Sequence, residues 1–376
     1  MIYRDFKGEK LSLLGFGAMR LPKREDGTIN EPLVHEMVRY AMEQGVNYFD
    51  TAYFYHSGQS EPIMGRVLAA YPRDSFYLAT KYPGHEVPPE TTNPADIFED
   101  QLKKCGVEYF DFYLLHNVNE RSVDTYLDPK YGIVDYLKKQ KELGRIKHLG
   151  FSAHADVPCL KRFLDVYGDD MEFCQIQLNW LDWTLQNAKE KCRILAERNI
   201  PVWTMESIRG GRLAKLSEEE EAKLKQRRPD ESIASWGCRD LQGNPQVHMI
   251  LSGMSNMENI EDNVRTFSGG DPLTEEEVAL LMEIAEGMKG SIPCTGCRYC
   301  CDGCPMGLDI PTLLAGYNEL RFALSPSVRS RVLLMPEDKR PSACIGCGKC
   351  SHICPQNIDV PAAMIDMMEK VWASPI

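Results

Sequence analysis

Two cysteine runs set fifty residues apart constrain this chain more than any other feature of its 376 residues. Cys294, Cys297, Cys300, Cys304 and Pro305 recur as Cys344, Cys347, Cys350, Cys354 and Pro355, and Asp309 and Pro311 recur as Asp359 and Pro361. Seven matches at a single offset mark a duplicated unit. Each run reads C-x2-C-x2-C-x3-C-P, the spacing in which three near thiolates hold one 4Fe–4S cluster and the fourth crosses to the other. The expected ligand sets are Cys294, Cys297, Cys300 and Cys354 for one cluster, and Cys344, Cys347, Cys350 and Cys304 for the second. Zinc is the competing reading, because C-x2-C pairs also build structural zinc sites. Such a site needs only two pairs, whereas each run here adds a third cysteine and a fourth before proline, which favours clusters. Cys301 has no counterpart in the second run and competes with Cys300 for its position.

These runs hold nine of the 14 cysteines. The other five, Cys105, Cys159, Cys174, Cys192 and Cys238, stand singly within predicted helices and strands and read as small core residues. The start, MIYRDFKGEK, is too charged for a secretory leader, and no run of 18 apolar residues occurs. A cytoplasmic chain, with reduced thiols and no membrane span, is therefore expected. Charge narrows the partners further. With 43 Lys+Arg against 55 Asp+Glu the net charge is −12, and from residue 291 onward eight basic residues balance eight acidic ones, so the acidity lies in the first part. An acidic surface repels a phosphate backbone, which argues against a nucleic-acid partner.

Up to about residue 290 short apolar runs alternate with amphipathic stretches, the pattern of repeated βα units. The expected strands are 11–14, 47–50, 76–80, 112–116, 148–152, 173–178, 202–205 and 249–252, with helices at 34–44, 95–105, 133–143, 157–167 and 184–198 among the connections. Eight such units close into a (β/α)8 TIM barrel of roughly 250 residues. An open doubly wound sheet is the alternative, weakened because no G-x-G-x-x-G follows the first strand. An acidic helix at 274–288 and a linker at 289–293 end this part. The predicted fold class is α/β: a barrel domain over 1–288, then a small, mainly helical, two-cluster ferredoxin-like domain over 289–376. In that domain each cysteine run precedes a helix with proline in its first turn, 311–322 and 361–372.

Five segments carry a family likeness: FDTAYFYHSGQSE at 49–61, ATKYP at 79–83, YFDFYLLH at 109–116, GFSAH at 150–154 and GMSNMENIEDN at 253–263. With them the chain resembles the aldo/keto reductases over nearly its full length, and in particular the branch that ends in a ferredoxin-type domain. The resemblance places a catalytic tetrad on Asp50, Tyr55, Lys81 and His116, with Tyr55 preferred to Tyr53 by its spacing from the aspartate. The chemistry of such a set is coherent without the name. A carbonyl that receives a hydride needs a proton donor, and a free tyrosine near pKa 10 is a weak one. Lys81 would stabilise the phenolate, Asp50 would hold Lys81, and His116 would donate to the substrate oxygen, leaving Tyr55 as general acid.

Ser152 and Gln175 match family positions that hydrogen-bond a nicotinamide carboxamide. The turn Ser252-Gly253-Met254-Ser255, with Glu258 and Asn263 beyond it, follows the eighth strand, where barrels bind phosphate through a helix N-terminus. Gly210, Gly211 and Arg212 after the seventh strand offer close backbone approach and a cation. Met205 stands where the family usually stacks an aromatic ring on the nicotinamide. Positions 252–261 hold no Lys or Arg for a 2′-phosphate, so NADH is as suitable as NADPH unless Arg209, Arg212 or Arg265 reaches in.

The expected function is that of an oxidoreductase acting on a small carbonyl or alcohol with NAD(P)H, its clusters exchanging electrons with a protein partner. Clusters pass single electrons and nicotinamide passes a hydride, so a bound flavin is a further expectation, motivated by Met205. A non-catalytic dinucleotide-sensing scaffold with structural clusters is the alternative. Phe16, Phe54, Asn179, Trp180 and Trp183 are the expected pocket lining.

Overall fold

The computed structural model describes residues 1–288, 292, 294, 298–322, 324–354 and 358–375. Cys297, Pro355 and most of the linker at 289–293 lie outside them. Packing divides the chain into two units, Met1–Trp183 with Asn187–Val278, and Thr184–Gln186 with Ala279–Ile376.

The first unit opens with an antiparallel hairpin, β1 (Tyr3–Phe6) and β2 (Glu9–Ser12). Eight parallel strands follow: β3 (Leu14–Gly17), β4 (Tyr48–Asp50), β5 (Tyr77–Tyr82), β6 (Phe110–Val118), β7 (Ile146–Ala153), β8 (Cys174–Gln177), β9 (Val202–Met205) and β10 (Val247–Ser252). They close in chain order, β10 returning to β3. The barrel expected from the βα rhythm is thus the barrel observed. Its first strand differs: it starts at Leu14, where the sequence pattern ended it. Leu11 belongs to β2, and the apolar run from Leu11 to Leu14 continues through a bend at Leu13, so hydrophobicity alone does not separate plug from strand. The helix expected at 184–198 is broken into Asp182–Leu185 and Ala188–Glu197 by Asn187 at φ +54°.

Strand side chains alternate between faces. Outward residues such as Phe16, Phe49, Leu149 and Ile250 pack beneath the helices. Inward ones, including Tyr48, Ala79, Phe112, Leu114, Phe173, Trp203 and Leu251, fill the barrel together with Phe6 of the hairpin. Phe6 packs edge-on against Trp203 and Phe173, closing the N-terminal end of the barrel. Phe16, expected in the pocket, is therefore a helix-facing core residue with no exposure. Gly15 and Gly17 take the inward positions of β3, and a Cβ on Gly15 would fall 2.6 Å from Leu251.

The second unit has its own core, built mainly from the helices Ile310–Phe322 and Val360–Ala373. They begin fifty residues apart. The short helices before them, Tyr299–Asp302 and Lys349–Ile353, are each preceded by a left-handed residue, Arg298 at φ +65° and Gly348 at φ +71°. The sequence repeat is thus a backbone repeat. No helix among the described residues is long and apolar enough to cross a membrane.

Candidate active site and cysteine cavity

Stepping two residues along each strand from the filled interior leads to the C-terminal mouth: Tyr48 to Asp50, Ala79 to Lys81, Leu114 to His116, Phe173 to Gln175, Trp203 to Met205. Lys81 has no exposure, and its Nζ donates to Asp50 Oδ1 at 2.6 Å and to the Thr51 carbonyl at 2.7 Å. The same Nζ lies 4.9 Å from the centre of the Tyr55 ring. Tyr55 meets His116 edge to face, ring centres 5.8 Å apart. The fold therefore gathers the four residues that the resemblance implied. Tyr53 instead lies beneath Lys104, whose Nζ is 3.8 Å from its ring centre.

Burial raises the Tyr55 phenol above its ordinary 10.0, with Lys81 opposing and Asp50 reinforcing the rise. Lys81 thus moderates the cost of a phenolate without reversing it, and Tyr55 carries its proton at neutral pH. Burial lowers the Lys81 ammonium, but Asp50 and Tyr55 outweigh it and leave the group above 10.5. Burial pushes the Asp50 carboxyl up against the pull of Lys81. His116 is driven well below 6.5, by burial first and then by His85, Lys81 and His154, so its imidazole is neutral.

A buried layer supports this set. Glu61 Oε1 accepts from Thr80 Oγ1 at 2.6 Å and from Gln101 Nε2 at 2.7 Å, and Gln101 also donates to the Lys81 carbonyl at 3.0 Å. The Thr51 hydroxyl donates to Ser60, which donates to the Ala18 carbonyl. These bonds tie β5 to the helices Ser60–Leu68 and Pro94–Cys105, while Glu61 Oε2 stays buried without a partner and burial raises its carboxyl.

Ser152 and Gln175 are cross-strand partners on β7 and β8. Ser152 Oγ accepts from the Asn117 N–H at 2.8 Å. Gln175 Nε2 lies 3.6 Å from Met205 Sδ, while its Oε1 is buried without a partner. Beyond β10, Asn263 donates to Ser252 Oγ at 2.9 Å, so its amide braces the turn from inside. Ser255 donates to the Arg20 carbonyl at 2.9 Å, and Gly253, Ser255 and Glu258 are exposed around the start of the helix Met257–Ser268. Gly211 is left-handed at φ +95° and Arg212 is exposed. Arg209 is not available to a phosphate: it forks onto the buried Asp182 at 2.9 and 2.8 Å. Arg265 pairs with Asp262 on its own helix. Asn179 is held by Asp182 and the Glu206 carbonyl and Trp180 is buried, which leaves Phe54 and Trp183 of the expected pocket residues within reach of solvent.

Two residues at this mouth were absent from the sequence reading. Arg20 lays its side chain over Gly253, where a Cβ would meet its carbons at 3.2 Å, and carries its guanidinium toward Gly210 and Glu206, 3.9 Å from the carboxylate. It is a cation beside the β10 turn that has none of its own. His85, on the loop after β5, is the second: its ring centre is 4.5 Å from that of His116. The motif Y-P-G-H-E directly after a strand end was the available signal.

In the second unit Cys304, Cys344, Cys347 and Cys350 line one cavity, with apolar Met306, Leu308, Ile310 and Val360 around them. Cys304 reaches it from the other run, as the crossed spacing expects. Among the described residues no three His, Cys, Asp or Glu side chains gather tightly enough to hold a single metal ion. Four thiols around one cavity, one of them from the other run, is the ligand number and source that a 4Fe–4S cluster in a two-cluster domain takes. Cys294, Cys300 and Cys354 border the same core, as does Cys301. Cys105, Cys159, Cys174, Cys192 and Cys238 are buried and unpaired.

Comparison with known proteins places these features. Residues 13–242 match the aldo/keto reductase family, and residues 293–358 match the 4Fe-4S dicluster domain. A Glycine max protein named "Probable aldo-keto reductase 1" is 29% identical over 207 residues, 52% of this chain and 56% of its own length. The NADH-specific methylglyoxal reductase of Escherichia coli is 26% identical over 178 residues, 43% of this chain and 53% of its own. The chain thus spans about half the length of these relatives. A solved aldo-keto reductase from Bacillus halodurans, in its holo form, superposes with a TM-score of 0.62 at 23% identity, covering 76% of this chain and 96% of that one, a likeness of fold.

Proposed function

For a chain that belongs to the aldo/keto reductase family and carries a 4Fe-4S dicluster domain, we propose a nicotinamide-dependent reduction of a small carbonyl compound, or the reverse oxidation of an alcohol. The observation that carries this reading is the Lys81–Asp50 ion pair, buried at 2.6 Å beside the Tyr55 ring and its neighbour His116. A bound NADH or NADPH supplies the hydride. Tyr55 then delivers its proton to the substrate oxygen, Lys81 stabilises the charge left on the phenol, and neutral His116 donates a hydrogen bond that orients the carbonyl. Asp50 keeps Lys81 charged where burial alone would discharge it. Ser152 and Gln175 would hold the carboxamide of a bound nicotinamide, and the turn from Ser252 to Ser255, with Arg20 across it, would take its phosphates. Gly211, Arg212 and Glu258 are the remaining residues expected to meet the cofactor, and Arg212 and Glu258 are exposed. Unpaired core thiols suit a cytoplasmic, reducing setting.

Anaerobically purified protein supplied with NADPH or NADH and methylglyoxal or 4-nitrobenzaldehyde should oxidise the nicotinamide in step with carbonyl loss. Turnover undiminished in Tyr55→Phe would remove Tyr55 from the mechanism, and absence of turnover in the unmodified protein would favour the dinucleotide-sensing scaffold.

The eight cysteines of the two runs are read as ligands of two 4Fe–4S clusters that exchange single electrons with a protein carrier. Met205 motivates a second reading in which a flavin sits over β8 and β9, since Gln175 and Met205 form a polar–thioether edge where a stacking ring is usual. The absorption spectrum of the released chromophore separates the two.

A further inference from the structure

The turn that carries Arg20 to the mouth is held from two sides. It spans Ala18–Arg20, directly after β3, and no side chain caps its start. From the segment after β4, Ser60 Oγ donates to the Ala18 carbonyl at 3.1 Å, and the Leu21 N–H donates to His56 Nε2 at 3.0 Å. From the turn after β10, Ser255 Oγ donates to the Arg20 carbonyl at 2.9 Å. Ala18 and Leu21 are buried, while the Arg20 side chain runs over Gly253. His56 itself sits in the left-handed region at φ +53°, followed by Ser57 at +55° and Gly58 at +83°. Glycine adopts such a backbone freely and a residue with a Cβ does not. A strained position in a native loop points to a use for its side chain, and the His56 ring has one, as acceptor for the main-chain N–H of the buried Leu21. Burial, and after it Lys23, hold this imidazole below its ordinary 6.5, so Nε2 keeps its lone pair at neutral pH. The same loop fixes Tyr55, whose carbonyl accepts from the N–H groups of Gly58 and Ser60, each at 3.1 Å.

We propose that His56 is a positioning residue for the dinucleotide: it fastens the Ala18–Arg20 turn to the loop of Tyr55, so that Arg20 stands over the β10 turn before the phosphates arrive. The inference rests on the nicotinamide reading above and adds a residue to it. His56 acts through Arg20 and is not itself a catalytic residue. Without the acceptor, the Leu21 N–H is left unpaired where little water reaches it. The turn is then held at one point fewer, and the fraction of molecules with Arg20 in place falls. Apparent affinity for the dinucleotide falls with that fraction.

Anaerobically purified full-length protein, titrated with NADH or NADPH and followed by nicotinamide fluorescence, reads the effect directly. His56→Gly suits the left-handed backbone and removes only the ring, so it should raise the dissociation constant by about three- to tenfold, the worth of one such bond. His56→Gln should bind close to the unmodified protein, because its carbonyl oxygen stands as many bonds from Cα as Nε2 does. Arg20→Ala should weaken binding too, and adding His56→Gly to it should weaken binding no further, as a residue that acts through Arg20 requires. Unchanged affinity in His56→Gly, losses that add in the double variant, or no recovery in His56→Gln would overturn the assignment. If His56→Gly does not fold, the comparison of His56→Gln with His56→Leu decides, since both fill the place of the ring and only the first carries an acceptor. A protein that binds neither nicotinamide removes the reading of the cleft and this role with it, whereas binding indifferent to His56 removes this role alone.

Discussion

The Lys81 ammonium is shut away from water with the Asp50 carboxylate as its ion-pair partner. Breaking a buried pair by removing one member leaves an uncompensated charge, which costs about 3–5 kcal/mol. Lys81→Met should therefore lower unfolding free energy by about that amount in urea titration, and abolish carbonyl reduction as well. Tyr55→Phe makes a different change. It removes a hydroxyl that touches substrate, so reduction should fall by about 10²–10⁴-fold while thermal unfolding and nicotinamide binding stay close to those of the unmodified protein. Asp50, Lys81 and His116 were legible in the sequence through the family resemblance of their segments, and period-two alternation along the strands accounts for their meeting at the mouth. Arg20 and His85 were not, because they reach the site from loops whose path depends on contacts with Gly253, Gly210 and Tyr126.

At the scale of elements, glycine marks where two helices touch. Gly65 of the helix Ser60–Leu68 approaches the end of the helix Pro94–Cys105 so closely that a Cβ would fall 2.7 Å from the carbonyl oxygens of Lys104 and Cys105. Gly65→Ala should thus destabilise by about 1–3 kcal/mol, seen as a lower unfolding midpoint, because backbone oxygens have no room to yield. The hairpin has an electrostatic anchor. Glu172 accepts from Lys7 on the β1–β2 turn at 2.5 Å, and also meets Lys141 at 2.9 Å and His148 at 3.4 Å. Burial raises its carboxyl, but His148, Lys7 and Lys141 outweigh that and hold it far below 4.5. A depressed folded-state pKa means that the stabilisation is full above about 4.5 and is lost as pH falls below that value toward the folded pKa. Stability measured from pH 6 to pH 3 should decline less steeply in Glu172→Gln than in the unmodified protein; parallel curves would deny the anchor. The hairpin itself escaped the sequence reading because its plug residues and β3 form one apolar run.

For the molecule as a whole, the duplicated cysteine unit makes the sharpest prediction. Cys304→Ser changes the first run yet borders the cavity of the second, so iron and sulfide analysis should fall from about eight to about four of each per chain, as one cluster is lost. The lost signal in electron paramagnetic resonance should match that of Cys347→Ser and differ from that of Cys294→Ser; a match to Cys294→Ser would break the crossed ligand sets. The spacing expects the fourth cysteine of one run beside the other run, and Cys304 does border the cavity of Cys344, Cys347 and Cys350. Barrel class was legible because repeated apolar periods are local, and eight parallel strands with crossover helices have few ways to close. Tertiary structure alone decided the rest. It turned Phe16 outward, tied Arg209 to Asp182, and set Arg20 over the β10 turn and His85 beside His116. Those outcomes depend on which distant side chains share a buried volume, and burial, which shifts charges and forces polar groups to find partners, is a property of the folded chain and not of any segment of it.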